Sequence, residues 1–195
     1  MIKFKVMKGF PFYRVIGNFA KELVRGLLEE SGYRVYPYGY ESFLSDVKYE
    51  LHRKKLVKTD SAKRLRSHPD LLVYNGRINE VTFVEVKFRN ISSLESIGLN
   101  AKSILWYQKY WNDSVLVVVV PVGEFFYAQD VNKLPTADVS ESDTFVNFDL
   151  STHFIPIAKR FLISSDALQN YYSELAKQIP TIQLKGKENE FIFFE

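Results

Sequence analysis

The most constraining feature of this sequence is the apolar run VLVVVVPV, which covers residues 115–122 without one polar side chain. A strand that is buried on both faces has this composition, whereas a strand with one face in water alternates apolar and polar residues. The run follows a segment with helical spacing, and a helix leading into a buried strand is typical of a crossover connection. The run is far shorter than the roughly 20 apolar residues of a membrane span. We therefore expect an α/β fold with a central mixed β-sheet flanked by helices.

The elements on either side of this run fit the same architecture. Apolar residues recur at helical spacing from Ile16 to Leu28, and Ser31-Gly32 supplies a stop signal, so we expect a helix. The stretch YRVYPYGY predicts a short strand near a sheet edge, because Pro37 cannot donate a ladder hydrogen bond. Further patterns predict a helix over 44–51, a helix from the Ser92 and Glu95 capping box to about residue 112, a strand at 124–129, a helix from Asp166 to about residue 179 and a terminal strand at 191–195.

Residues 70–88, DLLVYNGRINEVTFVEVKF, predict a β-hairpin around Asn75-Gly76. Two registers are open at this point. A two-residue loop would pair residue 74 with 77 and place Asp70 opposite Val81, whereas a wider loop over 75–80 would pair Asp70 with Glu85. A single-residue slip moves every side chain to the other face, so the register decides which groups meet.

Two charged residues interrupt the second strand of this hairpin. Glu85 and Lys87 are two positions apart and therefore project from the same face, while Val84, Val86 and Phe88 project from the other. In the wider register Asp70 joins them, and two converging carboxylates are a donor set that suits Mg²⁺. The lysine would then stand beside the cation, where it can orient or deprotonate a water and offset the charge of a phosphate. The alternative is an edge strand with a solvated ion pair.

Composition narrows the chemistry that is open to the chain. With 46% hydrophobic and 25% charged residues over 195 positions, we expect one globular domain. The absence of cysteine excludes disulfides, thiolate nucleophiles and cysteine-ligated zinc. The N-terminal residues show no signal-peptide pattern, so the expected location is the cytoplasm and no membrane partner is expected.

The positive charge of the chain is concentrated between residues 48 and 66, within a net charge of only +3. A block of this kind binds a polyanion or is simply a solvated face. We expect it to contact nucleic acid through its lysines and arginines, which include Arg53, Lys54, Lys55, Lys58, Lys63, Arg64 and Arg66.

Pro69-Asp70, the hairpin, and Glu85-Val86-Lys87 together resemble the signature of the PD-(D/E)XK nuclease superfamily, which has the restriction-endonuclease-like fold. There is some likeness to archaeal Holliday-junction resolvases, and the similarity extends over about residues 15–122. It implies a core with the order αβββαβ at about 15–130, a basic insertion at about 43–66 and a C-terminal extension at about 131–195.

The resemblance also implies roles for individual residues. Asp70, Glu85 and the Val86 carbonyl would bind Mg²⁺ or Mn²⁺, and Lys87 would handle the attacking water. Glu22 matches the acidic residue that these nucleases often carry on the first helix, although a solvated glutamate fits its position off the apolar stripe equally well. Gln108 resembles a glutamine that some members carry on a later helix, and the alternative is an exposed side chain without a role.

The expected function is therefore metal-dependent hydrolysis of phosphodiester bonds in nucleic acid, with DNA as the expected substrate. The alternative is a catalytically inactive module that binds nucleic acid on the same fold. A homodimer is a candidate assembly for either function. Carboxylates near a bound phosphate repel it, so nucleic-acid binding alone does not explain the presence of Asp70 and Glu85.

Overall fold

A computed structural model of the chain describes residues 12–39, 58–91, 93–178, 183–185 and 190–192. The helices of these ranges are α1 (Phe12–Glu30), α2 (Asp60–Arg66), α3 (Ala101–Tyr110), α4 (Leu150–His153), α5 (Ile157–Phe161) and α6 (Ser165–Gln178), with a 3₁₀ turn at Val131–Lys133. The strands are β1 (Arg34–Pro37), β2 (Leu71–Asn75), β3 (Glu80–Phe88), β4 (Ile97–Asn100), β5 (Val115–Val119), β6 (Phe126–Asp130), β7 (Phe145–Phe148), β8 (Ile155–Pro156), β9 (Gln183–Lys185) and β10 (Glu190–Ile192).

Six strands form the central sheet in the order β1-β2-β3-β5-β6-β8. β3 and β5 are parallel, while every other neighbouring pair in this sheet is antiparallel. The predicted α/β class with a mixed sheet and flanking helices is thus confirmed. β4 pairs with β7, and β9 with β10, in two separate two-stranded sheets.

Strand β5 is buried along its whole length because both faces of the sheet are covered. On one face Val115 and Val117 join a core with side chains of α1, α5 and α6. On the other face Leu116 and Val118 pack with α3, β4, β7 and α4. The uninterrupted apolar run therefore reflects two separate cores, one on each face of the sheet, because β5 contributes side chains to both.

The hairpin adopts the wider of the two predicted registers. Tyr74 pairs with Val81 and Leu71 with Val84, so the register continued by one position sets Asp70 against Glu85. A four-residue turn closes the hairpin after Asn75, and Asn79 takes a left-handed conformation there with φ of 53°. The Asn75 side chain accepts a hydrogen bond from the Arg77 amide at 3.0 Å, which stabilises this longer turn.

Three other sequence predictions differ in outcome. β1 is an edge strand and α1 ends just before Gly32, which has φ of 88°, so both predictions are confirmed. The predicted start of the next helix near Ser92 is wrong: α3 begins at Ala101, and Ile97 lies in β4. Pairing with β7 satisfies the backbone of that segment, and the Asn100 side chain caps α3 by accepting from the Ser103 amide at 2.9 Å.

The predicted helix over 44–51 lies outside the described residues. The strand at 126–130, the helix at 165–178 and the strand at 190–192 agree with the predictions for those segments. Within the described ranges, no helix combines the length and apolar character that crossing a bilayer would require.

Candidate metal and phosphate site

Asp70 follows the last turn before β2 and is fixed by contacts in three directions. Its carbonyl accepts hydrogen bonds from the amides of Tyr38 at 2.8 Å and Gly39 at 3.1 Å, which hold it against the end of β1. Its carboxylate Oδ2 accepts from the Val86 amide at 3.0 Å, and Oδ1 lies 2.6 Å from the Lys21 ammonium of α1. The side chain of Asp70 is 10% exposed and thus sits in the gap where β2 stops and β3 continues.

The Val86 carbonyl faces this same gap. In an antiparallel pair the N–H and C=O of one residue point to the same edge of the strand, so the Val86 C=O lies on the side of its N–H. The Arg89 amide bonds to Val119 on β5, which confirms that the odd positions face the other way. Pro69 would be the partner of Val86 in the continued register, and proline has no N–H to donate. Pro69 therefore supplies no ladder hydrogen bond to this carbonyl.

Glu85 stands on the face that carries α3, where it is surrounded by Leu116, Val118 and the helix. Its side chain is only 3% exposed. Oε1 accepts from the Tyr107 hydroxyl at 2.5 Å and from the Lys87 ammonium at 2.5 Å. Oε2 is buried and has no hydrogen-bond partner among the described residues. A buried carboxylate oxygen without a donor is unusual, and carboxylate oxygens of this kind can carry a proton or bind a cation.

Burial, and then the negative charge of Asp70, raise the pKa of Glu85 to about 7. The effect of Asp70 indicates that the two carboxylates are close enough to repel each other. Removing water from a carboxylate and placing a second carboxylate nearby both favour the protonated form, and a divalent cation between them would reverse both effects.

The Lys87 side chain is 29% exposed, and its ammonium is paired with the buried carboxylate of Glu85 at 2.5 Å. Desolvation lowers the pKa of Lys87, but the charges of Glu85 and Asp70 outweigh it, and the net shift is upward. Lys87 therefore carries its proton. In this state it is a cation that can hold a phosphate oxygen or a water molecule, and it is not a free base.

Two residues of this site are missed by sequence reasoning. The hydroxyl of Tyr107 on α3 donates to Glu85 and lies 3.4 Å from the Lys87 ammonium. Burial and the charge of Glu85 raise the pKa of this hydroxyl. The sequence pattern shows Tyr107 only as an apolar position of the helix. Lys21 of α1 is the partner of Asp70. In the sequence Lys21 is recognisable only as a polar residue off the apolar stripe of the helix. The other polar residues of that helix have the same property, so it does not single out Lys21.

Glu22, the predicted acidic residue of the first helix, is not brought to the site. Its side chain is 67% exposed and its carboxylate lies 3.6 Å from Arg25 on the same helix. The reason is geometric, because α1 packs through Ala20, Val24 and Leu27, and Glu22 lies away from that stripe. The neighbouring position, Lys21, is the one that reaches Asp70.

Gln108 and His68 both have structural partners. The Gln108 amide donates to the carbonyls of Val131 at 3.2 Å and Leu134 at 2.9 Å, and its oxygen accepts from Thr136. It is half-buried, so neither a site role nor the exposed alternative describes it. His68 stacks on Tyr38 at a centroid distance of 4.0 Å, and burial lowers its pKa.

The predicted nucleic-acid contacts are only partly described. Arg53, Lys54 and Lys55 lie outside the described residues. Lys58 is exposed just before α2, and the remaining three predicted contacts, Lys63, Arg64 and Arg66, belong to α2 itself.

The described part of the chain contains no group of three or more histidine, cysteine, aspartate or glutamate side chains placed to hold a metal ion. Asp70 and Glu85 are a pair of carboxylates and so fall below that number, whereas Mg²⁺ in proteins often takes only one or two carboxylates and keeps several waters. Comparison with known proteins returned no matching family model and no matching curated protein.

Proposed function

We propose that this chain is a metal-dependent nuclease that hydrolyses phosphodiester bonds in nucleic acid, with DNA as the expected substrate. The observation that carries the proposal lies just before the start of β2, where Asp70 accepts from the Val86 amide and Pro69 has no N–H to donate to the Val86 carbonyl. The Asp70 carboxylate, the Val86 carbonyl and the Glu85 Oε2, which has no partner among the described residues, thus come from neighbouring positions of β3 and of the segment that leads into β2.

These residues fit a hard divalent cation of the Mg²⁺ or Mn²⁺ type. Asp70, Glu85 and Val86 would supply oxygen ligands only, as such cations prefer, and a six-coordinate cation held by three of them would keep positions for water and a phosphate oxygen. When bound, the cation would polarise the scissile phosphate and supply a more acidic water.

The protein's own groups account for orientation and charge. The ammonium of Lys87 would bind a non-bridging phosphate oxygen and hold the attacking water in line. Tyr107 fixes the Glu85 carboxylate by donating its hydroxyl to Oε1, the same oxygen that the Lys87 ammonium binds. The rigid strand β3 carries both Glu85 and Lys87, and a strand positions reacting groups more accurately than a loop does.

Cleavage of labelled duplex, single-stranded and branched DNA, with Mg²⁺, with Mn²⁺ and with chelator, tests this proposal. We expect products only with metal, and strongly reduced cleavage by the Asp70→Asn and Lys87→Ala variants under the same conditions. RNA in a parallel assay decides the sugar preference. Metal-dependent cleavage that survives in both variants, in protein freed of contaminating nuclease, contradicts the assignment.

One observation favours the alternative, a binding module without catalysis. Lys21 already neutralises Asp70 at 2.6 Å, and Lys87 neutralises Glu85 at 2.5 Å. Two such pairs are a self-sufficient network, and a protein that only binds nucleic acid would need no cation here. Retained DNA binding without cleavage under any metal condition would favour this alternative.

A further inference from the structure

The outer surface of α2 and α3 carries a cluster of cations around two tryptophans. We call it the cationic helix face, and it comprises Lys63, Arg64, Arg66, Lys102 and Lys109 together with Trp106 and Trp111. Three of the cations surround one indole: Lys102 lies 5.0 Å from the ring centroid of Trp106, Arg66 lies 5.7 Å away and Lys63 lies 5.8 Å away. Arg64 lies 5.7 Å from the ring centroid of Trp111.

We propose that the cationic helix face grips the sugar-phosphate backbone of the nucleic acid without reading its bases. The inference rests on the proposed function for the identity of the partner and extends it to a recognition surface. Each tryptophan is only 8% exposed, and cations cover Trp106. No indole face is therefore open for a base to stack on. Arg64, Arg66 and Lys102 are exposed on the two helices, where their charges can meet a phosphate.

Packing between the two helices holds this face in place. The Trp111 indole donates to the carbonyl of Arg64 at 3.4 Å, and Lys109 and Tyr110 both bind Asp60 at the start of α2. Cations held over aromatic rings lose less freedom on binding a phosphate than lysines on a flexible loop would.

The face lies a short distance along the chain from the candidate metal and phosphate site. α2 ends at Arg66, and Asp70 is four residues further along the chain, a distance of at most about 14 Å. Lys102 lies on the same helix as Tyr107, roughly 8 Å away along the axis. A backbone held at the scissile phosphate would thus extend over these cations.

Glu141 is a built-in competitor for part of the face. Its Oε1 lies 3.4 Å from the Lys63 ammonium and accepts a hydrogen bond from the Trp106 indole at 3.2 Å. An incoming phosphate would have to displace this carboxylate from Lys63. We therefore expect that removing cations from this face lowers the affinity for nucleic acid and that removing the charge of Glu141 raises it.

Binding of a short fluorescent DNA duplex to the full chain, measured with chelator across a range of salt concentrations, tests the proposal. We expect the triple variant Lys63→Gln, Arg66→Gln and Lys102→Gln to bind every sequence more weakly. Its log-log salt slope should be smaller by about 0.9 for each phosphate that is no longer neutralised, or about 2.7 in all. A matched variant with exposed cations on other elements, Arg34→Gln, Arg77→Gln and Lys159→Gln, should keep a slope close to that of the parent protein.

The Glu141→Gln variant supplies the second measurement, since it leaves every cation in place. We expect several-fold tighter binding and a steeper salt slope, because Lys63 is released for a phosphate. Glu29→Gln is the control, as Glu29 is also an exposed carboxylate with an arginine partner, Arg25, on a different element.

Unchanged slopes in both variants, with folded protein verified by circular dichroism, overturn the proposal. So does preferential binding of polyglutamate over DNA by the parent protein, which would assign the face to an acidic protein. The expected slopes together with an absence of metal-dependent cleavage would support the cationic helix face and contradict the proposed catalytic function, so the two failures are distinguishable.

Discussion

Two clusters of charge lie on either side of helix α3, and they differ in how water reaches them. Around Glu85 a carboxylate that is 3% exposed meets an ammonium and a phenol at 2.5 Å each. On the cationic helix face four of the cations lie 5.0 to 5.8 Å from the centroid of an indole ring, and Arg64, Arg66 and Lys102 are exposed. In the first cluster the interaction free energy between the charged groups depends on individual distances and on desolvation. In the second they depend on the summed field, which salt screens.

This difference predicts how each cluster responds to substitution. One atom removed from the buried cluster leaves another polar group without a partner, which is costly. One charge removed from the exposed face leaves its neighbours hydrated and nearly unchanged. The following predictions test the contrast, beginning with the largest expected effect.

The Lys87→Ala substitution should reduce cleavage by about 10²- to 10⁴-fold, because the ammonium acts on the reacting phosphate and water. Single-turnover rates at saturating protein measure this loss without the contribution of binding. Lys159→Ala on the far helix α5 is the matched control and should cleave at the parental rate. Equal rates for the two variants would show that the buried cluster does not take part in the chemistry.

The stability of the metal-free protein should fall as pH rises between about 4.5 and 7. Because the folded state raises the pKa of Glu85, it binds more protons than the unfolded state in this window, so deprotonation favours unfolding. The rise in the pKa of Glu85 corresponds to a loss of roughly 3 kcal/mol in the free energy of unfolding across this pH range.

Urea unfolding at pH 5 and pH 8 with chelator measures the difference. Glu85→Gln should remove most of it, whereas Glu30→Gln, at an exposed position of α1, should retain it. An unaltered pH dependence in the Glu85→Gln protein would mean that another group titrates in this range.

The Tyr107→Phe substitution deletes only the hydroxyl that holds Glu85 and should lower the cleavage rate by about ten- to a hundredfold, the value of a hydrogen bond to a charged group. We expect the fold and duplex affinity to be retained, since the ring still packs against the sheet. A fall in affinity with an unchanged rate constant would place Tyr107 in substrate binding instead of in the positioning of Glu85.

The Lys21→Gln substitution should tighten the binding of Mn²⁺ several-fold, because it removes a competing ammonium from Asp70. The pair is partly exposed, with Lys21 at 34%, so screening reduces the effect. Calorimetric titration in the absence of nucleic acid measures it directly. Arg25→Gln, which alters another ion pair of α1, should leave the Mn²⁺ affinity unchanged.

Sequence reasoning anticipates the parts of the molecule that depend on local pattern. Alternation along β3 correctly places Glu85 and Lys87 on one face, and the run at Val115 correctly indicates a strand buried on both sides. The hairpin register stays open between two alternatives at the level of sequence. The Asn-Gly pair favours the tight turn, and only the chemistry of Asp70 favours the wider one.

The contacts that complete the candidate site come from elsewhere in the chain. Tyr107 and Lys21 reach the carboxylates from helices on opposite faces of the sheet, and helical periodicity does not specify which residues of other elements they meet. Glu22 lies away from the site, although it is next to Lys21, because one position along a helix rotates a side chain by about 100°. The helix prediction fails at Ile97 because its strand partner lies far later in the chain, at Phe148.

The parallel pairing of β3 with β5 has a consequence for the order of folding. Asp70 and Val86 are joined by a hairpin, and hairpins close in about 1–10 μs. The pairing of Glu85 with Leu116 requires the whole crossover through α3, and contacts between distant residues form more slowly. We therefore expect the hairpin to form while Glu85 is still hydrated, and the carboxyl to lose its water only when α3 docks and Tyr107 arrives. Refolding monitored by hydrogen exchange should protect the Val86 amide before the amides of β5.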